Sequence, residues 1–308
     1  MMGSSTNIRF LSRDEIDTGK WDHCILHAPN GLIYARSFYL DSMAKNWSAL
    51  VLNEYEMVMP LTWNRKFGIS YLYQPAFTAQ LGIFFRDPPE NNIFKKFIDQ
   101  AKSHFSFCEI HLNFANPANE NQVRTNYILD LGKPYTEIRR GYKKRLLENL
   151  REAESNHLQY QASDDYKSAI SLFKSQYGER FSHVKQSDYQ QFEILCRALM
   201  ENRMIFVRKV KDETGELLNT SIFFRDTNRI YNIMSVTLKA GREKKAHFFL
   251  LDQLIMEYAT KNLLFDFEGS EIPGIAEFYR KFGTINQPYP FLRFNRLPFP
   301  LRFFKKRS

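Results

Sequence analysis

A chain of 308 residues with 44% hydrophobic and 15% aromatic content can bury a sizeable core and has the length of about two domains, which excludes a disordered or fibrous polypeptide. Its formal charge of +9 and pI near 9.3 suit an anionic partner, whether a nucleotide, a coenzyme, a tRNA or a phospholipid surface, without selecting among them. Cys24, Cys108 and Cys196 lie far apart, and neither CxxC nor HExxH spacing occurs, so buried thiols are expected rather than a disulfide framework or a metal site. The first twenty residues contain no apolar signal segment, and the apolar stretch from Phe248 to Met256 is interrupted by Asp252 and Gln253. The expectation is a soluble, cytoplasmic protein.

In chain order, residues 48–52 and 56–63 predict a hairpin around Asn53-Glu54-Tyr55, followed by a strand over 69–73, a helix over 93–105 and a strand over 107–114. The strand at 69–73 runs into Tyr71-Leu72-Tyr73-Gln74-Pro75-Ala76-Phe77, an aromatic and proline cluster that makes Tyr73 a candidate substrate contact. Pro134, which lacks the amide hydrogen that a first helical turn leaves unpaired, opens a helix predicted to run to Glu154, with Leu146, Leu147 and Leu150 on its apolar face. Two further helices are predicted over 164–177 and 187–202.

The rest of the chain repeats the earlier order of elements. Apolar runs over 204–211 and 218–225 flank the hairpin signal Asp212-Glu213-Thr214-Gly215-Glu216, and a third strand covers 229–238. A basic loop over 239–246 leads into a helix over 247–261, where Phe248, Leu251, Leu254, Ile255 and Tyr258 recur at helical spacing; a strand over 263–267 closes the series. Because the order repeats while residue identity between the halves is negligible, the expectation is two domains of one fold, 1–133 and 134–308.

After the last predicted strand comes Ala276-Glu277-Phe278-Tyr279-Arg280-Lys281-Phe282-Gly283. From Phe278 to Gly283 it resembles the [Leu/Phe]-Tyr-x-x-[Leu/Phe]-Gly end of the Ala-x-x-[Leu/Phe]-Tyr-x-x-[Leu/Phe]-Gly pattern of the GNAT acyltransferase superfamily, with Ala276 one residue nearer the tyrosine than the pattern's alanine. The tandem plan, with the basic helix Tyr142-Lys143-Lys144-Arg145-Leu146-Leu147 opening the second half, is similar to the Fem-type aminoacyltransferases. The resemblance spans nearly the whole chain and is most specific in its C-terminal part. It implies an α/β (α+β) protein of two tandem GNAT-like domains, each a mixed, mostly antiparallel twisted sheet flanked by helices. It also implies a metal-free transferase that moves an acyl or aminoacyl group from acyl-CoA or aminoacyl-tRNA to an amine. The second domain would hold the donor, and the first would bind the acceptor, a small molecule or cell-wall precursor, or serve as scaffold.

In the superfamily the segment ahead of the donor helix reads [Arg/Gln]-x-x-Gly-x-[Gly/Ala]. Here Arg242-Glu243-Lys244-Lys245-Ala246-His247 keeps the arginine and sets Lys245 at the first glycine, with Ala246 directly after it. Two readings stay open. Lys239, Arg242, Lys244, Lys245, Ala246 and His247 cradle the donor's phosphates together with amides at the helix start, or the missing glycine closes the loop.

The resemblance implies that Tyr279 protonates the leaving group, against a packing role shared with Phe278 and Phe282. Asp266 and Glu268, two apart on a strand, share a face, where one serves as a base through a water; alternatively Glu268 orients the turn. Ser270 is a substrate contact or a helix cap, and Tyr142, Lys143, Lys144 and Arg145 meet substrate phosphate or form a solvated face. The tail Leu297-Pro298-Phe299-Pro300-Leu301-Arg302-Phe303-Phe304-Lys305-Lys306-Arg307 suits peripheral contact with a membrane. The rival reading is a non-catalytic GNAT-fold module that binds an anionic glycan precursor, a nucleic acid or a membrane surface.

Overall fold

The computed structural model describes residues 7–117, 123–269 and 273–303. The chain divides into two compact units, Met1–Arg124 together with Pro288–Ser308, and Thr125–Gln287. The first contains β1 (Ile8–Leu11), α1 (Thr18–His27), α2 (Ser37–Met43), β2 (Asn46–Leu52), β3 (Met57–Lys66), β4 (Ile69–Tyr73), β5 (Phe84–Phe85), α3 (Asn91–His104), β6 (Phe107–His111) and β7 (Val123–Arg124). The second begins with β8 (Tyr127–Asp130), α4 (Tyr135–Arg140), α5 (Lys144–Glu154), β9 (Gln159–Ser163), α6 (Tyr166–Tyr177) and α7 (Gln186–Glu201). It continues through β10 (Ile205–Lys211), β11 (Leu217–Arg225), β12 (Arg229–Thr237), α8 (Lys239–Glu243), α9 (Ala246–Tyr258), β13 (Leu264–Asp266), α10 (Pro273–Arg280) and β14 (Ile285–Asn286), and β15 (Tyr289–Asn295) returns to the first unit.

The sheets have the orders β1-β2-β3-β4-β6-β15-β7 and β9-β10-β11-β12-β13-β8-β14, with β5 added on β3. In each, a meander leads to a strand that crosses over through a helix to a parallel neighbour, β4 to β6 and β12 to β13. The remaining pairs between named strands are antiparallel. The two units therefore share one strand plan; the sixth position of the first sheet is filled by β15, which returns from the far end of the chain to lie beside β6, and that of the second by β8, the strand that opens the second unit, beside β13. This arrangement corrects the expected break at Lys133, because residues 127–130 belong to the second sheet and residues 289–295 to the first.

Central strands are apolar along most of their length, as expected where helices cover a sheet on both faces; Leu218, Ile222, Phe223 and Phe224 of β11 are all buried. The hairpin joining β10 to β11 is held by Asp212, whose Oδ1 accepts from the amides of Thr214 at 3.1 Å and Glu216 at 3.0 Å and from the Thr214 hydroxyl at 2.7 Å. Gly215 takes the positive φ that such a turn requires. Leu250, Leu251, Leu254 and Ile255 of α9 meet Leu146 and Leu150 of α5 in one core with Phe223 and Phe265. Asp252, also on α9, is buried there and accepts from the Tyr135 hydroxyl at 2.8 Å, which in turn accepts from Arg139 at 2.8 Å. This clamp satisfies a carboxylate that burial would otherwise make costly.

The single helix expected from Pro134 to Glu154 is broken, with α4 ending at Gly141 and α5 beginning after Lys143. The break arises because the turn docks on the end of the α10 segment. The Lys143 amide donates to the Lys281 carbonyl at 2.8 Å, and the rings of Tyr142 and Phe282 lie 5.6 Å apart. Gly283, at φ +72°, approaches so closely that a Cβ would stand 2.7 Å from the Gly141 oxygen. Replacing Gly283 with alanine should therefore cost roughly 1–3 kcal/mol. Gly274→Ala, where nothing lies within 4 Å of the added carbon, should be neutral or slightly stabilising. Denaturant titration of the two variants checks the contrast.

Candidate functional site

Parallel pairing of β12 with β13 lasts for Arg229↔Leu264, Ile230↔Phe265 and Tyr231↔Asp266 and then stops, while β12 continues to Thr237. The register of β12 against β11 slips just past that point: Ile222 faces Met234 and Phe223 faces Asn232, so Ile233 is an extra residue. Such a bulge bends its strand and raises the local twist. The two strands thus diverge at their carboxyl ends, the place where α/β sheets generally receive ligands.

Polar residues border the opening. Asn219, Ser221 and Asn232 are buried, yet their side chains form a row. The Asn219 amide donates to the Thr237 hydroxyl at 2.7 Å and Ser221 to Asn219 Oδ1 at 3.1 Å; the Ser221 and Ser235 hydroxyls lie 2.8 Å apart, and Ser235 donates to Asn232 Oδ1 at 2.9 Å. Sequence reading passes over this row by treating 218–225 as apolar, although Asn219-Thr220-Ser221 inside a strand is the available signal.

The expected basic loop is instead the short helix α8. It lies against β11 so closely that a Cβ on Gly241 would collide with the Leu218 carbonyl oxygen. Its cations do not form the expected cradle. Lys244 pairs with Asp212 at 2.8 Å, Lys245 with Glu152 at 3.4 Å, and the Arg242 guanidinium folds back onto the Thr237 carbonyl at 2.7 Å. Lys239 is exposed and Ala246 buried.

What survives of the loop is its backbone. Lys245, at the place of the superfamily's first glycine, takes the left-handed conformation (φ 57°, ψ 28°) that glycine adopts without strain, and it opens α9 with no side chain capping the first amides. His247 follows, stacked on Phe278 with centroids 4.8 Å apart. Its Nε2 has no hydrogen-bond partner among the described residues, and burial pushes its imidazole down to about 4. Phe248 also meets Phe278, at 4.5 Å, so α10 covers the start of α9 with aromatic rings.

Asp266 is not available as a base. Its carboxylate is buried and ion-paired to Arg229, accepts from Asn126 Nδ2 at 3.3 Å and from the Glu268 amide at 2.9 Å, and so serves the structure of the strand end. Nor do Asp266 and Glu268 share a strand face, because β13 ends at Asp266 and Glu268 turns away at φ +64°. Glu268 is half-buried at this turn.

The Tyr279 ring lies 5.2 Å from Phe267 and 6.2 Å from Tyr127. Burial first, then the charges of Glu268 and Asp266, hold its phenol well above the usual tyrosine range. Tyr142 belongs to the core behind Phe282, its phenol raised by burial and by Asp252, which corrects its expected substrate contact. Lys143, Lys144 and Arg145 are exposed, Arg145 pairing with Glu148 at 3.1 Å.

Tyr73 lies in the other unit, where its hydroxyl accepts from the Lys45 amide at 2.8 Å. Ser270 falls outside the described residues. His23 and His27, an i, i+4 pair that the absence of HExxH spacing leaves unnoticed, lie on α1 with ring centroids 4.0 Å apart and planes tilted by 34°, but no group of three or more His, Cys, Asp or Glu side chains among the described residues could hold a metal ion. The three cysteines are buried thiols.

No protein-family model matches the chain, and no curated protein matches it in sequence. Solved structures match it in fold. The chain is similar to FemX with a TM-score of 0.66 at 14% identity, covering 96% of this chain and 99% of that one. It is similar to a tandem GNAT protein from the clavulanic acid biosynthesis pathway with a TM-score of 0.53 at 13% identity, over 95% and 99%. It also matches the C-terminal domain of a putative lysylphosphatidylglycerol synthetase from Agrobacterium fabrum with a TM-score of 0.53 at 9% identity, over 95% of both chains. The fold is thus the tandem GNAT fold, two mixed, mostly antiparallel sheets flanked by helices.

Removing the Asp266 carboxylate by alanine should cost about 3–5 kcal/mol by leaving Arg229 buried and unpaired, whereas a joint Arg229→Met/Asp266→Leu change should cost less; chemical denaturation distinguishes them. The unfolded imidazole of His247 takes up a proton below pH 6.5 that the folded one refuses until about 4. Its contribution is therefore complete above pH 6.5 and lost as pH falls toward 4, by on the order of 2–3 kcal/mol. Stability curves of the protein and its His247→Phe variant should separate across that window.

Proposed function

We propose that this tandem GNAT-fold chain is an acyl- or aminoacyltransferase that holds an activated donor in its second unit and passes the acyl group to an amine. The observation that supports it most is the separation of β12 from β13 at the Ile233 bulge, at the same end as an α9 start without a capping side chain. Beyond Tyr231, β12 has no β13 residue opposite. An extended, amide-bearing arm, such as that of a coenzyme A thioester, can line this edge like a surrogate strand. Its phosphates would meet the first amides of α9. Lys244 and Lys245 then act as pins, to Asp212 and Glu152, that hold the loop in shape. An aminoacyl-tRNA 3′ end offers the same chemistry through an ester.

In this reading Glu268 takes the proton from the attacking amine, directly or through a water. The tetrahedral intermediate collapses, expelling the thiolate or ribose oxygen, toward which Tyr279 donates a hydrogen bond. Because the phenol is held protonated, this donation persists throughout the neutral range. Asp266 positions Glu268 through its amide. The first unit is assigned to acceptor recognition or scaffolding, with Tyr73 as its contact. On the second unit, the exposed Lys143, Lys144 and Arg145 suit an anionic substrate such as a cell-wall precursor or the tRNA backbone.

A second reading, a non-catalytic binding module, is favoured by the packing of His247 and Phe248 against Phe278 over the α9 start. Incubation with radiolabelled acyl-CoAs and aminoacyl-tRNAs separates the two. A transferase should label an amine acceptor, and Tyr279→Phe should lower kcat by roughly 10²-fold with donor Kd unchanged. Binding of neither donor at near-millimolar concentration would remove the transferase reading.

A further inference from the structure

We infer that one end of the first unit's sheet is a contact surface for an anionic lipid bilayer. The inference stands independently of the reaction proposed above.

Three separate segments reach this end. The β3–β4 hairpin turns at Phe67 and Gly68, between the paired residues Lys66 and Ile69. The α3–β6 connection lies beside it, the Ser106 amide donating to the Ser70 carbonyl at 3.3 Å. The segment leaving β15 lies next in line: Asn295 pairs with Phe107, and the Arg296 amide donates to the Ser106 carbonyl at 2.7 Å. The Arg296 guanidinium also donates to the Lys102 carbonyl at 2.7 Å, closing α3 onto the same end. The turn that follows, bearing Phe299 and Phe303, is tied back by Asn295 Nδ2 to the Arg302 carbonyl at 3.0 Å.

Two properties coincide here. Phe67 is 85% exposed and Phe299 75%, the two most exposed large apolar side chains among the described residues, and Phe303 is 46% exposed. Such side chains raised on turn tips are costly in water, which marks a surface that meets something apolar. Moreover, residues 64–70, 102–106 and 295–303 contain Arg65, Lys66, Lys102, Arg296 and Arg302 and not one Asp or Glu. Lys102 interacts with Asp99 of its own helix at 3.4 Å. The sequence continues with Phe304-Lys305-Lys306-Arg307.

Apolar tips surrounded by cations match a bilayer interface: rings enter the headgroup layer while lysines and arginines face anionic lipid, each worth about 1 kcal/mol near a charged leaflet. A polyanion such as RNA would account for the cations and give no reason for the Phe67 hairpin tip. Residues 297–303 of the tail are therefore one part of a three-segment surface that spacing alone did not bring together; residues 304–307 of that tail lie outside the described residues.

The test is co-sedimentation of the full chain, without donor or acceptor, on vesicles of phosphatidylcholine with 30 mol% phosphatidylglycerol (about one anionic lipid in three, enough to set up a surface potential) and on pure phosphatidylcholine vesicles. Binding is expected only to the anionic vesicles and should weaken with salt. A Phe67→Ser/Phe299→Ser variant should partition at least about tenfold less, and Arg65→Glu/Lys66→Glu should do the same. A Phe67→Trp variant should shift its emission to the blue on anionic vesicles, beyond any change in the parent protein; because residue 67 is exposed, these changes leave the fold intact, as circular dichroism would verify. Absence of binding to the anionic vesicles, or equal binding by the serine variant, which would mean attraction that any polyanion satisfies, overturns the inference. So does an emission spectrum of the Phe67→Trp variant that the anionic vesicles leave unshifted.

Discussion

The Arg229–Asp266 ion pair is the contact on which the second unit's architecture depends. It sits where β12 and β13 part company, and its hydrogen bonds reach four pieces of chain. Arg229 starts β12 and also donates to Gln287 at 3.2 Å; Asp266 ends β13, receives Asn126 from the lead-in to β8, and fixes the Glu268 amide beyond the strand. A buried charge pair in this position stabilises little compared with apolar packing of equal volume, but it is intolerant of losing one partner. What it supplies is definition. The parallel pairing stops after three residues because the carboxylate turns the chain at Asp266, and the left-handed Glu268 follows from that turn.

Around this node the second unit resolves two opposing tendencies. The bulge at Ile233 parts the strands beside a buried row of hydroxyl and amide groups, while the Phe248, Phe267, Phe278 and Phe282 rings pack against one another nearby. Near the α9 start Lys244 and Lys245 are compensated by Asp212 and Glu152 and Arg242 bonds a backbone carbonyl, which leaves backbone amides and the helix dipole as the attraction at the helix end itself. The uncompensated basic character lies elsewhere, above all at the end of the first sheet.

Much of this organisation is legible in the sequence, and the departures share a cause. The strand from Ile69 to Tyr73 has the expected bounds, and both meanders and both crossover helices follow from periodicity and turn chemistry that act within about ten residues, whereas the Tyr279 motif is legible only through its resemblance to a family pattern. The α8 helix reads as a loop in sequence because what forms it is the seating of Gly241 against Leu218, a contact across the sheet. The break after Arg140 depends on Gly283, far along the chain. Asp266 reads as a base because its partner lies 37 positions earlier, where no spacing rule looks. Lys245 shows the converse: the glycine pattern is broken in sequence while the backbone conformation that glycine favours is retained.

The late return of β15 to the first sheet bears on how the molecule comes into being. During synthesis the first unit's residues 1–124 emerge with the β6 edge still waiting for β15, a segment that is made only after the whole of Thr125–Gln287. An open, hydrogen-bonding strand edge invites wrong partners for as long as it is bare. The first half therefore cannot be completed as it leaves the ribosome, whereas Thr125–Gln287 is contiguous and holds every strand of its own sheet. The first sheet stays provisional until the second unit has been translated.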